Sequence, residues 1–409
     1  MASRAHARKV KHNMFWILCI IGFFAILSST MSKNPVLKPF AASLETPEGF
    51  WIGFVASAST IPGILVSLPA ASLSDIFGRR KFLLMSCIVF ASAPFLYCLV
   101  TVWWQLILVR FYHGFATGIF IPVAEASITE QYPTKRAERI SLFSSATDVG
   151  RCLAPFLGGY LLFATDYGFH TLYLAVGMAG IAAFVTALLL LTEKESSSIQ
   201  FRSSKETFLG MLHGWNKIVQ TRGALIVSFV QASQYYTFGA VEFFLVGYLS
   251  EALRFDSLSV GAVMGSQIVA VILTKPFMGR ISDKIGRRIP IVVGSIVCSF
   301  PLLAIPYTTQ FSILLLLSIT YGVGFATVTA STPALVSELV PTSLVGTAMG
   351  FLGTIMDVGQ TLGPIITGMI LATSLAYVGA FSALTAVLLF SCAMFIVSKV
   401  TKTGLKEQV

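Results

Sequence analysis

Twelve long apolar stretches, separated by short polar segments, dominate the pattern of residues along this 409-residue chain. A stretch of about 20 mostly apolar residues can cross the hydrocarbon core of a bilayer, and it must be helical because its backbone groups find no water to bond there. The pattern therefore predicts twelve membrane-spanning helices, which we number spans 1 to 12. Their predicted bounds are 14–37, 50–70, 82–101, 105–127, 141–163, 171–192, 224–249, 259–277, 289–307, 311–336, 345–372 and 376–399.

The longest polar interruption lies near the middle of the chain and separates six spans from six. It contains Ser, Lys and Glu in place of apolar residues, as expected of a loop between two halves. We therefore predict an all-α membrane protein built from two six-helix bundles. The predicted segments are an N-terminal tail at 1–13, a first bundle at 14–192, a central loop at 193–223, a second bundle at 224–399 and a C-terminal tail at 400–409.

Basic residues cluster in alternate polar segments, and the segments between them are nearly bare. Loops with an excess of Lys and Arg stay on the cytoplasmic side of a membrane. The pattern therefore predicts a multi-pass protein of the cell membrane with both termini in the cytoplasm. The clusters lie within Arg4–Lys11, Arg79–Lys81, Lys135–Arg139, Lys194–Arg222, Arg280–Arg288 and Lys399–Lys406.

Composition excludes several classes of function. Hydrophobic residues make up 55% of the chain and charged residues only 11%, whereas a soluble domain carries roughly 25% charged residues. The chain is too apolar for a soluble enzyme. Because the loops account for the net charge of +10, we expect the lipid bilayer, and no nucleic acid, as its partner. The six cysteines lie in apolar runs without a CxxC pair, which predicts packed thiols and no disulfide, metal site or cofactor.

Polar motifs of the first half recur in the second half. The segment from Asp75 to Arg80 recurs from Asp283, an offset of 283 − 75 = 208. Glu130 recurs as Glu338 at the same offset, and Asp148-Val-Gly recurs as Asp357-Val-Gly at an offset of 209. Motifs that repeat in order at one spacing indicate a duplicated six-helix unit. Such repeats lie side by side around an axis normal to the membrane.

At these motifs the chain resembles the major facilitator superfamily over nearly its whole length. The segments 71–81 and 279–288 resemble the loop that follows spans 2 and 8 in that family, with Ala71 where Gly is usual. Arg110, with His113-Gly114 one turn on, is similar to the span 4 motif of proton-coupled members. The segment 150–159 is similar to the span 5 motif of antiporters, with Ala154 in place of Gly.

The resemblance implies a secondary transporter, similar to the twelve-helix drug and metabolite:proton antiporters. We expect it to work as a monomer by alternating access, with protons entering while a small organic compound leaves. A proton-coupled uptake symporter or a uniporter for a small polar or anionic metabolite is the alternative. A non-transporting membrane sensor or a lipid-translocating scaffold is the alternative of another class. No HExxH, Gly-x-Ser-x-Gly or GxxxxGK[ST] motif favours an enzyme or an ATP site.

The two repeated loops are the predicted gating latch. By family resemblance, each loop aspartate faces the positive N-terminal end of a helix of the other half, span 11 for the first loop and span 5 for the second. Each loop arginine can pair with the acid that ends span 4 or span 10, since acid and loop are 55 residues apart in both halves. The alternative is that the arginines only set topology. The latch residues are Asp75, Gly78, Arg79, Glu130, Asp283, Gly286, Arg287 and Glu338.

Five ionisable residues inside the spans are candidates for proton coupling. A charged side chain in a bilayer costs roughly 2.5–3.5 kcal/mol on insertion scales, so it faces the protein interior and has a partner or a function. The alternative for Arg110 is a structural bond to backbone carbonyls or Gln105, and the alternative for Asp148 is a structural pair with Arg151. His113 is a candidate relay or a packing residue. The coupling candidates are Arg110, Glu125, Asp148, Glu242 and Asp357.

An aromatic segment of span 7 with one carboxylate is the predicted wall of a substrate cavity, suited to an apolar or cationic compound. Lys33 could pair with Glu242 across the pseudo-twofold axis, bind an organic anion, or extend outward with Lys38. Gly and Pro in spans 5 and 11 are candidate bending points, with close packing as the alternative. The cavity residues are Lys33, Asn34, Tyr235, Tyr236, Phe238 and Glu242, and the bending residues are Gly150, Pro155, Gly359 and Pro364.

Overall fold

The structure is a computed structural model, and every regular element that it describes is a helix. It describes residues 2–132, 136–191, 215, 218–341, 344–398 and 400. Within these ranges the side chains of residues 2–13, 68, 71, 72, 75, 76, 136 and 137 are not described. Most of the predicted central loop and C-terminal tail, and the side chains of the predicted N-terminal tail, therefore lie outside the described residues.

Each predicted span corresponds to a helix or to two consecutive helices. A short helix at Leu37–Ser43 lies between spans 1 and 2. Spans 7 and 9 each end in a short segment of different winding, a π-helix at Tyr248–Ala252 and a 3₁₀-helix at Ile305–Tyr307. The twelve spans are Ala2–Met31, Phe50–Ser57 with Ile61–Phe77, Arg79–Tyr97, Trp103–Gln131, Arg136–Ala164, Phe169–Leu190, Arg222–Gly247, Ser257–Ile285, Arg288–Ala304, Phe311–Leu339, Val345–Leu371 and Ala376–Val397.

Ten spans in the described part of the chain are long and apolar enough to cross a membrane by length and composition alone. The other two are spans 5 and 7. Span 5 carries both Asp148 and Arg151, and span 7 carries the buried polar residues Gln231, Gln234 and Glu242. These polar side chains lower the apolar content of both spans. Those of span 7 are buried in the protein, whereas the side chain of Arg151 in span 5 is exposed.

The end of span 1 and the middle of span 2 differ from the sequence prediction. Span 1 ends at Met31, so Lys33 and Asn34 lie in a turn and not inside a helix that continues to residue 37. Pro35 explains this ending, because proline lacks an N–H and restricts the residue before it. Span 2 is interrupted at residues 58–60, and Pro62 lies in the first turn of its second helix, where its missing N–H costs nothing.

One compact unit, unit 1, comprises Met1–Thr46, Ala58–Phe201 and Asp256–Gly261. Its core contains fully buried phenylalanines from spans 1, 3, 4 and 5, namely Phe15, Phe90, Phe120 and Phe143. Span 1 packs closely against span 5, because a side chain at Gly150 would overlap the backbone oxygen of Phe23. The start of span 8 also packs in this unit, with Gly261 against the backbone of Pro155.

The other unit, unit 2, comprises Pro47–Ser57, Arg202–Phe255 and Ala262–Val409. A buried cluster from spans 7, 9, 10, 11 and 12 forms its core. Span 7 packs against span 11, because a side chain at Gly359 would overlap the backbone oxygen of Ala232. Span 11 thus packs on span 7 as span 5 packs on span 1, which is the internal repeat seen in three dimensions. The protein has the all-α architecture of twelve transmembrane helices in two pseudo-symmetric bundles of six.

Candidate functional site

The arginine of each repeated loop pairs with the acid at the end of a neighbouring span. Arg79 Nε lies 2.9 Å from Glu130 Oε2 in unit 1, and Arg287 Nε lies 3.3 Å from Glu338 Oε1 in unit 2. Arg287 also donates a hydrogen bond of 3.1 Å to Ser282. The structure therefore brings together both predicted acid–arginine pairs, while their action as a latch remains a prediction.

The loop aspartates are described unequally. Asp283 forms an ion pair with Arg287 of its own loop, and its side chain is 62% exposed. The side chain of Asp75, the matching residue, lies outside the described residues. The predicted contact of each aspartate with a helix end therefore remains a prediction.

The loop glycines adopt backbone conformations that other residues avoid. Gly78 has φ = 100° and Gly286 has φ = 87°. Both angles lie in the region of positive φ that glycine enters without steric cost. These two residues thus turn the chain sharply between spans 2 and 3 and between spans 8 and 9.

The acids of spans 5 and 11, which match by sequence, have different surroundings. Asp148 Oδ1 lies 3.2 Å from Arg151 Nη1 in the same helix. The position that matches Arg151 (151 + 209 = 360) is Gln360, which carries no charge. In the described part of the chain, the half-buried carboxylate of Asp357 has no ion pair or side-chain hydrogen bond. Asp357 is thus the less compensated acid of the two.

The remaining coupling candidates lie in different units. Glu125 is half-buried in span 4 of unit 1. Glu242 is buried in span 7 of unit 2, with 6% of its surface exposed. Its carboxylate interacts electrostatically with the buried hydroxyl of Tyr321, which donates to Thr237 at 3.3 Å. Glu242 therefore lies within a polar layer between spans 7 and 10.

Arg110 is almost completely buried in span 4, with 2% exposed. Its Nη2 donates a hydrogen bond of 2.7 Å to Ser59, and the side chain also bonds the hydroxyl of Tyr97. His113 lies on the other side of that hydroxyl, with Nδ1 at 3.4 Å. Gln105, named as an alternative partner of Arg110, instead accepts hydrogen bonds at the start of span 4. Arg110 thus belongs to a buried polar cluster.

The predicted aromatic wall of span 7 is divided between two neighbouring helices. Tyr235 and Phe238, both half-buried, contact Phe325 of span 10, with ring centroids 5.3 and 4.6 Å apart. Tyr236 is turned toward span 11, where its backbone abuts Gly363. Tyr235 and Phe238 therefore form one aromatic surface with Phe325, and Tyr236 lies outside it.

Three polar residues that follow span 1, Lys33, Asn34 and Lys38, lie in unit 1. Lys33 is half-buried, and Asn34 and Lys38 are buried, with 1% and 3% exposed. Glu242 belongs to unit 2. The proposed pair of Lys33 with Glu242 would join residues of two different units, and it remains a prediction.

The predicted bending residues occupy close helix contacts. Gly150 and Gly359 lie against the backbones of spans 1 and 7, respectively. Pro155 and Pro364 lie inside the helices of spans 5 and 11, which continue through them. Close packing is thus present in the structure, and bending remains a prediction.

Sequence reasoning missed several residues of these sites, among them Phe325, Tyr321, Ser59 and Tyr97. Phe325 and Tyr321 lie in span 10, where no sequence pattern distinguishes them from the other aromatic residues of the chain's apolar helices. Ser59 lies in the interruption of span 2. Its neighbours Thr60 and Pro62 are a signal that could have located this interruption, since a polar pair before a proline marks a possible helix start.

Comparison with known proteins places this architecture and these motifs in one family. The sequence profile of the Major Facilitator Superfamily matches residues 17–244 and 227–408. The multi-drug resistance efflux pump PmrA of Streptococcus pneumoniae is 23% identical over 362 residues, which cover 88% of this chain and 88% of that protein. The cis,cis-muconate transport protein of Acinetobacter baylyi is 23% identical over 380 residues, covering 90% and 88%. The crystal structure of the nucleoside transporter NupG superimposes with a TM-score of 0.78 at 15% identity, covering 95% and 100%.

Proposed function

Since the chain belongs to the major facilitator superfamily and is a multi-pass membrane transporter, not an enzyme, we propose that it exports a small organic compound in exchange for protons. The similarity to an efflux pump supports the direction of transport. The span 5 segment 150–159, similar to that of antiporters, supports the exchange.

The observation that carries proton coupling is the contrast between Asp357 and Asp148. Asp148 pairs with Arg151, which compensates its charge in place. The carboxylate of Asp357 has no such cation in the described part of the chain. An intramembrane acid without a fixed counter-charge is suited to take up and release a proton during transport. We therefore assign proton exchange to Asp357 and a structural pair to Asp148.

The substrate class follows from the aromatic surface of unit 2. Phe238 stacks on Phe325, and the ring of Tyr235 meets Phe325 edge to face. Glu242 lies one to two turns further along span 7. Ring faces attract cations, and a buried carboxylate adds attraction for positive charge. The surface thus favours an apolar organic cation as the exported compound.

In this proposal the paired loops and the helix contacts act during the transport cycle. The Arg79–Glu130 and Arg287–Glu338 pairs fasten the cytoplasmic ends of the spans in one state and release them in the other. Gly150 with Pro155, and Gly359 with Pro364, provide the bending points. Glu125 and Arg110 assist the protonation change in unit 1.

Uptake of a small polar or anionic metabolite is the second candidate function. It is favoured by the similarity to a muconate transport protein and by the fold shared with a nucleoside transporter. Lys33 would then bind the anionic group of the substrate. The transport experiment described next separates the two functions. In proton-coupled uptake the substrate would move in the same direction as the protons, whereas in exchange it moves in the opposite direction.

The test is transport of ethidium, an aromatic organic cation, by purified protein in proteoliposomes with an imposed pH gradient. Ethidium movement should depend on the gradient and run opposite to the protons. The Asp357→Asn variant should lose this dependence, because its amide cannot release a proton. The matched Asp148→Asn variant should retain it, because Asp148 serves only its own helix.

Ethidium movement that is indifferent to the pH gradient would refute the exchange. If both variants behave like the wild type, the assignment of coupling to Asp357 is wrong even if transport itself is observed.

A further inference from the structure

Four polar side chains of unit 1 surround the buried Arg110 and form with it what we call the Arg110 cluster: Ser59, Tyr97, Arg110, His113 and Tyr173. Arg110, His113, Tyr97 and Tyr173 have 2%, 3%, 1% and 0% of their surfaces exposed, respectively. Tyr97, His113 and Tyr173 each interact electrostatically with the guanidinium. A positive charge and three hydrogen-bonding groups are thus gathered away from water.

The hydrogen bonds in this cluster leave one ring nitrogen of His113 without a partner among the described residues. A guanidinium only donates, so the oxygen of Tyr97 accepts from Arg110. The hydroxyl of Tyr97 lies 3.4 Å from Nδ1 of His113, and either group can be the donor, depending on the tautomer of the imidazole. A neutral imidazole that accepts at Nδ1 carries its proton on Nε2. This Nε2 is buried and has no hydrogen-bond partner among the described residues.

Tyr173 adds a second unmatched group. Its ring stacks on that of Tyr97, with centroids 4.5 Å apart and planes within 9°. Its hydroxyl is buried and also has no partner in the described part of the chain. A buried polar group without a partner is costly. Both unmatched groups can donate a hydrogen bond, so an acceptor that receives from both would complete the cluster.

The interruption of span 2 places the start of a helix, which carries partial positive charge, next to the cluster. Ser59, which accepts from Arg110 at 2.7 Å, lies in the turn between the two helices of span 2. The second helix, Ile61–Phe77, begins two residues later. The start of a helix carries partial positive charge, and interrupted membrane helices use it to bind anionic groups. Ser59 is only half-buried, so the turn also provides access.

The second half of the chain serves as an internal comparison. At the offset of 208, Ser318 takes the place of Arg110 and Gln267 takes the place of Ser59, with their side-chain oxygens 3.5 Å apart. Span 8 is one unbroken helix, Ser257–Ile285, where span 2 is interrupted. The duplicated position thus keeps a polar contact but has neither the charge nor the helix start. Of the two repeated positions, the one in unit 1 combines a buried arginine with the start of a helix, and the one in unit 2 has neither.

We propose that the Arg110 cluster binds a small monovalent anion, of the size of a halide. The anion accepts from the Tyr173 hydroxyl and from Nε2–H of His113, and it lies close to the guanidinium and to the start of the Ile61–Phe77 helix. The anion is distinct from the exported compound, and its binding does not require the proposed direction of transport. It stabilises unit 1 when it is occupied.

The test is thermal unfolding of the purified protein in detergent at constant ionic strength, with chloride replacing gluconate in steps. The melting temperature should rise with chloride and reach a plateau, and bromide should act in the same way. Tyr173→Phe removes one donor and should weaken the apparent affinity by about tenfold or more, since hydrogen bonds to charged groups contribute about 1.5–3 kcal/mol. Tyr160→Phe, the same change at a residue 57% exposed in span 5 of the same unit, should leave the affinity unchanged.

Two further measurements make the outcome decisive. Diffraction from crystals soaked in bromide should give an anomalous peak between Tyr173 and His113, which tests the site in the unmutated protein. Tyr321→Phe, at the position that matches His113, should not alter the chloride response. The absence of a plateau, an equal response in Tyr173→Phe, or an empty cluster in bromide would overturn the proposal. A stronger response to acetate than to chloride would overturn the halide assignment and indicate a carboxylate ligand.

Discussion

Single residues of this chain have roles that depend on their backbone angle and their immediate neighbours. Gly286 has a positive φ, and among the described residues no heavy atom beyond its two chain neighbours lies within 4 Å of the point where a Cβ would stand. A side chain there would meet conformational strain and no steric clash with neighbours. Gly346 is equally open but lies in the first turns of span 11 with an ordinary helical φ. Because both positions have room for a side chain, a comparison of Gly286 with Gly346 isolates the effect of the positive φ of Gly286.

We predict that Gly286→Ala lowers the free energy of unfolding by about 1–2 kcal/mol, because an L-residue is strained at positive φ. Gly346→Ala should leave it unchanged or raise it by up to about 1 kcal/mol, because alanine favours a helix. Thermal or denaturant unfolding of the two purified variants measures both effects. Equal effects of the two substitutions would contradict the backbone argument for the loop glycine.

The acids of spans 5 and 11 show how far residue-scale reasoning reaches. Their repetition predicts a symmetric pair, but one residue three positions further on makes them different. Arg151 compensates Asp148, whereas Gln360 leaves Asp357 without a fixed cation. The difference is present in the sequence, but its meaning depends on which side chains actually meet.

At the scale of elements, the start of span 8 is stabilised by a cap that the apolar pattern does not reveal. Asp256 Oδ1 accepts from the backbone N–H of Ser259 at 2.9 Å, and Oδ2 accepts from its hydroxyl at 2.9 Å. Burial alone would raise the pKa of Asp256, but these hydrogen bonds outweigh it and hold the pKa below its usual value. The carboxylate therefore stabilises the folded state while it is ionised.

We predict that Asp256→Ala destabilises the protein by about 1 kcal/mol at neutral pH, because it removes an N-cap. The stabilisation by Asp256 should be fully present above its unfolded pKa of about 3.9 and should be lost as the pH falls through its lower folded pKa. Asp256→Asn keeps the cap but not the charge, so it should stay near wild-type stability at neutral pH without this acid dependence. Unfolding between neutral pH and pH 3 measures all three proteins. An identical pH dependence in the Asn variant would exclude a role of the charge.

The elements also show where a duplicated sequence becomes asymmetric. Spans 2 and 8 correspond residue by residue, yet only span 2 is interrupted, at residues 58–60. The interruption coincides with Arg110 of the neighbouring span, whose side chain bonds Ser59. A charge inside the membrane needs polar partners, and an open turn supplies them more readily than a continuous helix.

At the scale of the whole molecule, the repeated Arg–Glu pairs can be tested for two roles. They either act as a latch during transport, or their arginines only set the topology of the chain in the membrane. The Arg79–Glu130 pair is partly exposed, with 20% and 50% of the side chains accessible. A pair of this kind contributes at most about 1 kcal/mol to stability. A large loss of transport on breaking it would therefore reflect the transport cycle and not unfolding.

We predict that Arg79→Glu abolishes transport in proteoliposomes while the melting temperature changes little. Combining it with Glu130→Arg restores the opposite charges and should recover part of the activity. The same exchange at Arg287 and Glu338 is the matched experiment in unit 2, where Asp283 also pairs with the arginine. Full activity of Arg79→Glu would show that the arginine only directs insertion.

The sequence by itself determined the membrane-spanning class, the number of spans, the duplication and the family, because each depends on residue order along the chain. Apolar length sets a span and a repeat offset sets a duplication, without reference to neighbours in space. The same repeat offset also indicated the Arg79–Glu130 and Arg287–Glu338 pairs, which the structure brings together.

Only the tertiary structure decided the positions that depend on contacts between helices. It joined Phe325 to Tyr235 and Phe238, and it placed Tyr173 beside Arg110. The side chains of an apolar helix look alike along the chain, and the choice among them is made by which helix packs against which face. The contacts of Phe325 with Phe238 (325 − 238 = 87) and of Tyr173 with Arg110 (173 − 110 = 63) join residues far apart in the chain, so no local pattern contains them.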